Sequence, residues 1–242
     1  MTPIILIGAL GRMGRAISEC AHNHHAVIKA GVVRDAGASH ASFPLYSDLG
    51  QALHEHAQEK PVILDFSQAE ASAQHVELAM KHSCPILIGS TGHDDTHHAL
   101  FLQASAHIPV LVAPNTSLMA VLMRHLVGLT SAALPHVDKG ILDIHHSHKK
   151  DAPSGTARDL AKVMAPPVAI QSLRMGEIIG EHTAYFVSNY ERLEITHRAS
   201  DRRVFAQGAL YAAQFIFRSN PGLYDMNDVL NLNLTVQKDR KN

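Results

Sequence analysis

At 242 residues, 46% of them hydrophobic, the chain has material for a packed core in one large domain or two modest ones. Its formal net charge of −1 excludes the broad basic face of a nucleic-acid or membrane-surface binder, leaving small molecules or copies of itself as expected partners. No apolar run approaches transmembrane length. Cys20 and Cys84 are too few for a disulfide framework and lack metal-site spacing, so both read as core thiols in a reducing, cytoplasmic compartment.

The N-terminus has no basic leader and runs straight into glycines, which predicts a buried strand over Pro3 to Ile7 rather than a signal peptide. That strand breaks at Gly8-Ala9-Leu10-Gly11-Arg12-Met13-Gly14 and gives way to a helical pattern from Arg15 to Ala21. Strand, glycine turn and helix form a phosphate-binding unit. Gly8 makes the tight turn, Gly11 lets the backbone approach a pyrophosphate, and Gly14 allows close helix-strand packing, with the helix dipole favouring negative charge. A second β-run, Val27 to Val33, ends at Arg34-Asp35, about twenty residues past the motif, where a ribose-reading side chain belongs. An acid there suits the 2′-hydroxyl of NAD and a guanidinium the 2′-phosphate of NADP, so the pair leans to NADP with dual use open.

Further β-runs at Val62 to Phe66, Ile86 to Gly89 and Val110 to Ala113 alternate with helical segments at Glu70 to Lys81 and Thr96 to Ala106. Such alternation predicts a doubly wound parallel sheet of the Rossmann type, with ligands at the carboxyl ends of the strands. Those ends are Asp65-Phe66-Ser67, Gly89-Ser90-Thr91-Gly92 and Ala113-Pro114-Asn115-Thr116-Ser117, a floor of small residues, hydroxyls and an amide. From Leu118 to Ala133 a long apolar helix opens a second domain, and Gly140 to Ile144 is a strand leading into a histidine cluster. Glu181 to Val187, Glu191 to His197 and Val204 to Ala206 are β-rich or alternating, as in a sheet with one wet or partner-facing side. Ala206 to Phe217 reads as a helix, and Leu223 to Leu230 as a short element packing back on the first domain. The expected division is 1–117 for dinucleotide binding, joined by 219–242, and 118–218 as a smaller α+β domain with a mixed sheet for substrate binding and oligomerisation.

The densest chemistry lies in His145-His146-Ser147-His148-Lys149-Lys150-Asp151-Ala152-Pro153-Ser154-Gly155-Thr156-Ala157. Imidazole titrates near neutrality, and a lysine crowded by cations releases its proton more readily, so the cluster suits proton transfer onto an anionic molecule. Pro153 to Thr156 leads into a helical run, whose free N–H groups would hold a carboxylate or phosphate. His148 and Lys150 read as structural or solvated, and His22, His24, His25, His97 and His98 as surface residues. A metal site on His145, His146 and His148 is disfavoured, because the adjacent lysines repel a cation and no carboxylate or cysteine completes a pattern. No metal is therefore expected.

Gly11-Arg12-Met13-Gly14, Asp65-Phe66-Ser67, Gly89 to Gly92, His145 to Lys149 and Asp151 to Ala157 together resemble the bacterial dihydrodipicolinate reductases. The likeness extends through Gly176 to Thr183 and Glu191 to Ala199 and covers nearly the whole chain. It implies reduction of the dehydrated form of 4-hydroxy-tetrahydrodipicolinate to tetrahydrodipicolinate by NADPH or NADH, on the diaminopimelate route to lysine. By the same likeness His145 is the acid/base residue and Lys149 the proton donor, while His146, Lys149, Ser154, Gly155 and Thr156 hold the dicarboxylate. Gly8, Ala9, Leu10, Gly11, Arg12, Met13, Arg34, Asp35, Gly89, Ser90, Thr91, Ala113, Pro114, Asn115 and Thr116 fall where the family contacts its dinucleotide. The resemblance also implies a homotetramer built through the second domain's sheet. The alternative is a dinucleotide-sensing module without catalysis, which would keep Gly8, Gly11 and Gly14 but have no need of Lys149.

Overall fold

The computed structural model describes residues 1–37, 41–165 and 168–232. Its contacts group the chain into two compact units, Met1–Ser117 with the chain from Phe205 onward, and Leu118–Val204.

The first unit is a sheet of parallel strands flanked by helices. In chain order it contains β1 (Thr2–Ile7), α1 (Arg12–Ala21), β2 (Ala26–Val32), β3 (Leu45–Tyr46), α2 (Leu49–Glu55), β4 (Val62–Asp65), α3 (Ala69–Lys81), β5 (Ile86–Ile88), α4 (Asp95–Ser105) and β6 (Pro109–Val112). The seven strands run in the order β11-β6-β5-β4-β1-β2-β3, where β11 (Gly222–Tyr224) is the late edge strand beside β6. From β1 the chain winds outward through β2 and β3, then restarts on the other side at β4, which puts the switch point between β1 and β4. Strands covered on both faces need apolar side chains on both, which explains the unbroken runs Ile4 to Ile7, Val62 to Leu64 and Ile86 to Ile88, all essentially buried. Asp48 and Asp94 begin α2 and α4 by accepting hydrogen bonds from the N–H groups of Gln51 (2.8 Å) and His97 (3.0 Å). Cys20 and Cys84 are buried and not disulfide-bonded, and burial pushes the Cys84 thiol up to about 11.

The second unit comprises α5 (Leu118–Ala133), β7 (Asp138–His145), α6 (Gly155–Val163), β8 (Ala169–Arg174), β9 (Gly180–Val187) and β10 (Arg192–Ala199). Its four strands run β10-β9-β7-β8; only β7 and β8 are parallel, so the sheet is mixed. Ile141, Ala184 and Phe186 share one face and pack with Met123 and Val127 of α5 and Ala157 and Leu160 of α6. Side chains alternate along a strand, so Leu142, Tyr185 and Val187 line the opposite face, around a shallow trough.

Two expectations are corrected. Val204 to Ala206 is not β but the first turns of α7 (Arg203–Phe217). Its buried residues Ala206, Ala209, Leu210, Ala213 and Ile216 repeat at helical spacing, and that longer pattern outweighs a short apolar run that periodicity alone leaves ambiguous. Nearly all of this helix groups with the first unit, so the division falls after Val204 rather than at residue 218. Beyond it, Leu223 and Tyr224 pair in parallel with Val110 and Leu111, and α8 (Met226–Val229) is closed by an Asp225 capping box. The part of the 219–242 expectation beyond residue 232 lies outside the described residues.

Candidate active site

In the first unit, the turn between β1 and α1 is built for close backbone approach. Gly8 holds a left-handed φ of +77°, and a Cβ there would stand 2.8 Å from the Phe66 carbonyl oxygen. A Cβ on Gly14 would overlap the carbonyl oxygens of Gly8 and Ala9. Gly11 begins α1 with no side-chain cap, so the first peptide N–H groups of that helix are offered to a ligand rather than to a serine or aspartate. Arg12 and Met13 line a cleft of about 580 Å³ together with Phe66, Ser67, Gln68 and Gly89 to Gly92. Gly89 carries the ring of Phe66 directly against its Cα, where any side chain would collide. Such a cradle fits a dinucleotide phosphate bridge.

A buried polar network supports the floor of that cleft. Asp65, at the end of β4, accepts from Ser67 N–H (2.9 Å) and Ser72 Oγ (3.2 Å) and lies 2.8 Å from His75 Nδ1. Ser72 continues to Ser90 Oγ (3.1 Å) and His93 Nε2 (3.1 Å). Burial works to raise the Asp65 carboxyl, but His75 and Ser67 outweigh it and hold it below the ordinary range. Of the other expected cofactor residues, Arg34 and Asp35 are exposed past β2, with Asp35 Oδ1 accepting from Gly37 N–H at 3.0 Å. Ala113 is tied to β5 through the Ile88 carbonyl (2.9 Å), Asn115 accepts from Ser117 N–H (2.9 Å), and Thr116 donates to the Phe205 carbonyl (2.7 Å). Neither group lines the cleft around Arg12 and Met13.

In the second unit the histidine cluster begins on β7 and is organised by a residue absent from the expected set, Asp143. Its carboxylate is fully buried. One oxygen, Oδ1, lies 2.9 Å from His145 Nδ1 and 3.3 Å from His182 Nε2. The other, Oδ2, accepts from Ser154 N–H (3.1 Å), Ser172 Oγ (3.0 Å) and Arg174 Nη2 (3.1 Å). Strand register explains the gathering: Asp143 pairs with Ser172 on β8 and His182 on β9, and His145 pairs with Arg174. Burial works to raise the Asp143 carboxyl, yet bonds from Ser154, Ser172 and Arg174 hold it down at about 2.

The imidazoles are lowered too, but here burial is the cause rather than the opposing influence. Burial lowers His145 against the pull of the Asp143 carboxylate, with Lys149 and Arg174 adding to the lowering. His182, deeper still, is pushed down to about 4 by burial and then by its neighbour His145, whose ring it meets edge-on with centroids 5.2 Å apart. Lys149 Nζ pairs with Asp151 Oδ1 at 2.7 Å, and the backbone carbonyl of Asp151 accepts from Arg174 Nη2 at 2.6 Å. Ser154 caps α6 by accepting from Ala157 N–H (3.1 Å), and its hydroxyl also meets His182 Nε2 (3.0 Å). Gly155 and Thr156 form the first turn of α6 at the surface. His146 is half-buried, and His148 is exposed, 4.0 Å from Glu177.

The cluster therefore divides. His145 belongs to a buried network with Ser154, whereas His148 and Lys150 face solvent. Asp143, His145 and His182 place donor atoms within 4.8 Å of one another. As a metal cage they fit poorly, because Arg174 already neutralises the carboxylate and the 2.9 Å approach of His145 is tighter than the roughly 3.3 Å between ligands on tetrahedral bonds of about 2.0 Å. Asp143 was open to discovery in the sequence, since it stands two residues before His145 on a strand and so on the same face. His182 and Arg174 carried no such signal; the register of β8 and β9 brings them in.

The comparisons with known proteins agree across both units. Residues 2–116 match the family model described as dihydrodipicolinate reductase, N-terminus, and residues 119–230 the model for its C-terminus. A 4-hydroxy-tetrahydrodipicolinate reductase from Zymomonas mobilis is 38% identical, the match covering 94% of this chain and 96% of that protein. A protein of the same name from an Anaeromyxobacter species is 37% identical over 96% of this chain and 98% of its own length. Among solved structures, a dipicolinate-bound dihydrodipicolinate reductase from a Paenisporosarcina species shares the fold with a TM-score of 0.79, at 22% identity over 93% of this chain and 97% of that one. The chain belongs to the dihydrodipicolinate reductase family.

Proposed function

We propose that this protein is an NAD(P)H-dependent reductase that converts the dehydrated form of 4-hydroxy-tetrahydrodipicolinate to tetrahydrodipicolinate in the diaminopimelate route to lysine. The carrying observation is the junction at Asp143 and Ser154, where a proton-bearing cluster and a helix N-terminus share one buried network. A dicarboxylate that must accept a proton needs both.

A dinucleotide whose phosphates were held at the glycine turn would supply the hydride from its nicotinamide. The chain's own residues do the rest. Lys149, placed by Asp151, is the proton donor as negative charge develops on the conjugated nitrogen side of the ring, and His145 is its acid/base partner. The first turn of α6, at Gly155 and Thr156, holds one carboxylate with the help of His146 and Lys149. Ser154 serves that site by capping the helix, since its hydroxyl is engaged with Ala157 and His182. Arg12, Met13 and Gly89 to Thr91 hold the dinucleotide phosphates, with Ala113 to Thr116 as further contacts. Arg34 reads the 2′-phosphate of NADP, favoured over Asp35 because Asp35 is turned back onto Gly37. Homotetramer formation is proposed through the face of the second sheet that bears Leu142, Tyr185 and Val187, opposite its helix-covered side. No helix among the described residues is long and apolar enough to cross a membrane, and two cysteines that form no disulfide fit a cytoplasmic setting.

The test couples the condensation of pyruvate with aspartate semialdehyde to this protein and follows oxidation of NADPH and NADH separately. Oxidation of either supports the assignment, and none overturns it in favour of a sensing module. In the same assay Arg34→Ala raises KM for NADPH more than for NADH; unchanged discrimination removes Arg34 as the phosphate reader.

A further inference from the structure

One carboxylate touches both halves of the second unit's site. Through Oδ1 Asp143 meets the imidazole assigned to proton transfer, and through Oδ2 it holds the peptide N–H of Ser154, the residue that starts α6. His182 closes the gap between them, 3.3 Å from Asp143 Oδ1 and 3.0 Å from Ser154 Oγ. We infer that Asp143, backed by His182, is the positioning element of this active site, fixing the tautomer of His145 and the place of the α6 N-terminus together. This rests on the reductase reading above.

The tautomer follows from charge. The 2.9 Å approach of Asp143 Oδ1 to His145 Nδ1 lies off the hydrogen-bonding direction, so what acts between them is charge: an ionised carboxylate repels a lone pair and attracts N–H, and the proton of neutral His145 sits on Nδ1, leaving Nε2 for the substrate. Gly180 supports that orientation from the other side, its missing side chain leaving room for Nε2; a Cβ there would stand 3.1 Å away. His182 takes the opposite tautomer. Its Nε2 rather than its Nδ1 faces the Asp143 carboxylate, at 3.3 Å, and the Ser154 hydroxyl, at 3.0 Å, so the same charge argument puts its proton on Nε2.

The charged and titratable groups around this point are Asp143 and His145 on β7, Arg174 on β8, His182 on β9, His197 on β10, and Lys149 with Asp151 on the loop before α6. Arg174 compensates Asp143 permanently, because a guanidinium does not titrate in the working range. The carboxylate can therefore orient His145 without demanding that it be protonated.

The experiment reads the His145 ring directly, by nitrogen-15 NMR of the protein without substrate, with the signal assigned by its loss in His145→Gln. The expected wild-type form is Nδ1–H. Finding His145 with its proton on Nε2 overturns the proposal, whatever the variants do. In Asp143→Asn, which keeps the shape and removes the charge, the Nδ1–H preference is lost and kcat falls by about 10²-fold or more, the usual worth of a general acid or base. KM for the dicarboxylate rises with it, because α6 loses its anchor, and Asp143→Glu recovers part of kcat. A folded Asp143→Asn with unchanged tautomer and kcat also overturns the proposal. Should that variant fail to fold, the wild-type tautomer and the kcat of His182→Gln, expected to fall about tenfold with little change in KM for NADPH, decide the question; an unchanged kcat there speaks against it. Absence of any NAD(P)H oxidation by the wild type would instead remove the reductase reading and leave the tautomer result standing.

Discussion

Two buried aspartates, Asp65 in the first unit and Asp143 in the second, share a design and differ in where their partners come from. Both end or nearly end a strand, both are fully buried, and both face an imidazole within 3 Å. Asp65 draws its partners, Ser67, Ser72 and His75, from the ten residues that follow it. Asp143 draws on β8, β9 and the start of α6, with a guanidinium and two imidazoles around it. The local hub can form with one βα unit and shapes the loop it sits under. The non-local hub exists only once three strands are in register, and in return it can set groups from separate elements against one substrate. Under the proposed function, the first serves cofactor binding and the second serves chemistry.

The largest expected effect separates those duties. Lys149→Ala lowers kcat by about 10²- to 10⁴-fold, the range of a lost general acid, and leaves the Kd for NADPH within about twofold, because no residue of the glycine turn is touched. Single-turnover kinetics and fluorescence titration of NADPH give the two numbers. Equal turnover by wild type and variant would remove Lys149 as proton donor, and a parallel loss of cofactor affinity would undo the division of labour.

Acid makes the next largest contrast. The Asp143 carboxyl, ordinarily near 3.8, is held at about 2, so the stability it contributes is present above pH 4 and lost as pH falls toward 2, worth about 2 kcal/mol. His182 acts higher. Its folded value of about 4 lies below the ordinary 6.5, so the unfolded chain takes up the proton first and stability already falls between pH 6.5 and 4, by about 3 kcal/mol. Hydrogen exchange at β7 and β9 amides should therefore speed up between pH 6.5 and 4 more than at β1 and β4, after correction for the intrinsic rate. His182→Gln should flatten that window; unaltered pH dependence in the variant would mean that the burial of His182 carries no such cost.

How much was legible beforehand follows the same local and non-local line. The glycine turn, the alternating strands and the long apolar α5 are local patterns, and the structure has each where its residues put it. The doubly wound parallel sheet and the separate mixed sheet are likewise as expected, although the short strands β3 and β11 of the first carry too few residues to show a pattern. Asp143 was within reach by strand periodicity alone, whereas His182 and Arg174 lie 39 and 31 residues away in sequence from the carboxylate they meet. The β reading of Val204 to Ala206 failed because three apolar residues fit either period, and only Ala209 to Ile216 beyond them shows the helix.

The smallest effect probes the local hub. Ser72 links the Asp65 carboxylate to Ser90 and His93, touching Asp65 Oδ2 at 3.2 Å, Ser90 Oγ at 3.1 Å and His93 Nε2 at 3.1 Å. Ser72→Ala removes one hydroxyl from a buried network and leaves Asp65 its bonds from Ser67 and His75, so stability should fall by about 1 kcal/mol rather than by the larger cost of an orphaned charge. Ser90 and the neighbouring Gly89 and Thr91 line the cleft, so slackening them should weaken NADPH severalfold. Saturating turnover should stay put, because nothing around Asp143 is disturbed. A thermal melt, an NADPH titration and kcat at saturation distinguish the outcomes. If kcat falls while NADPH affinity holds, Asp65 takes part in the chemistry after all, and the contrast between the two aspartates is one of wiring alone.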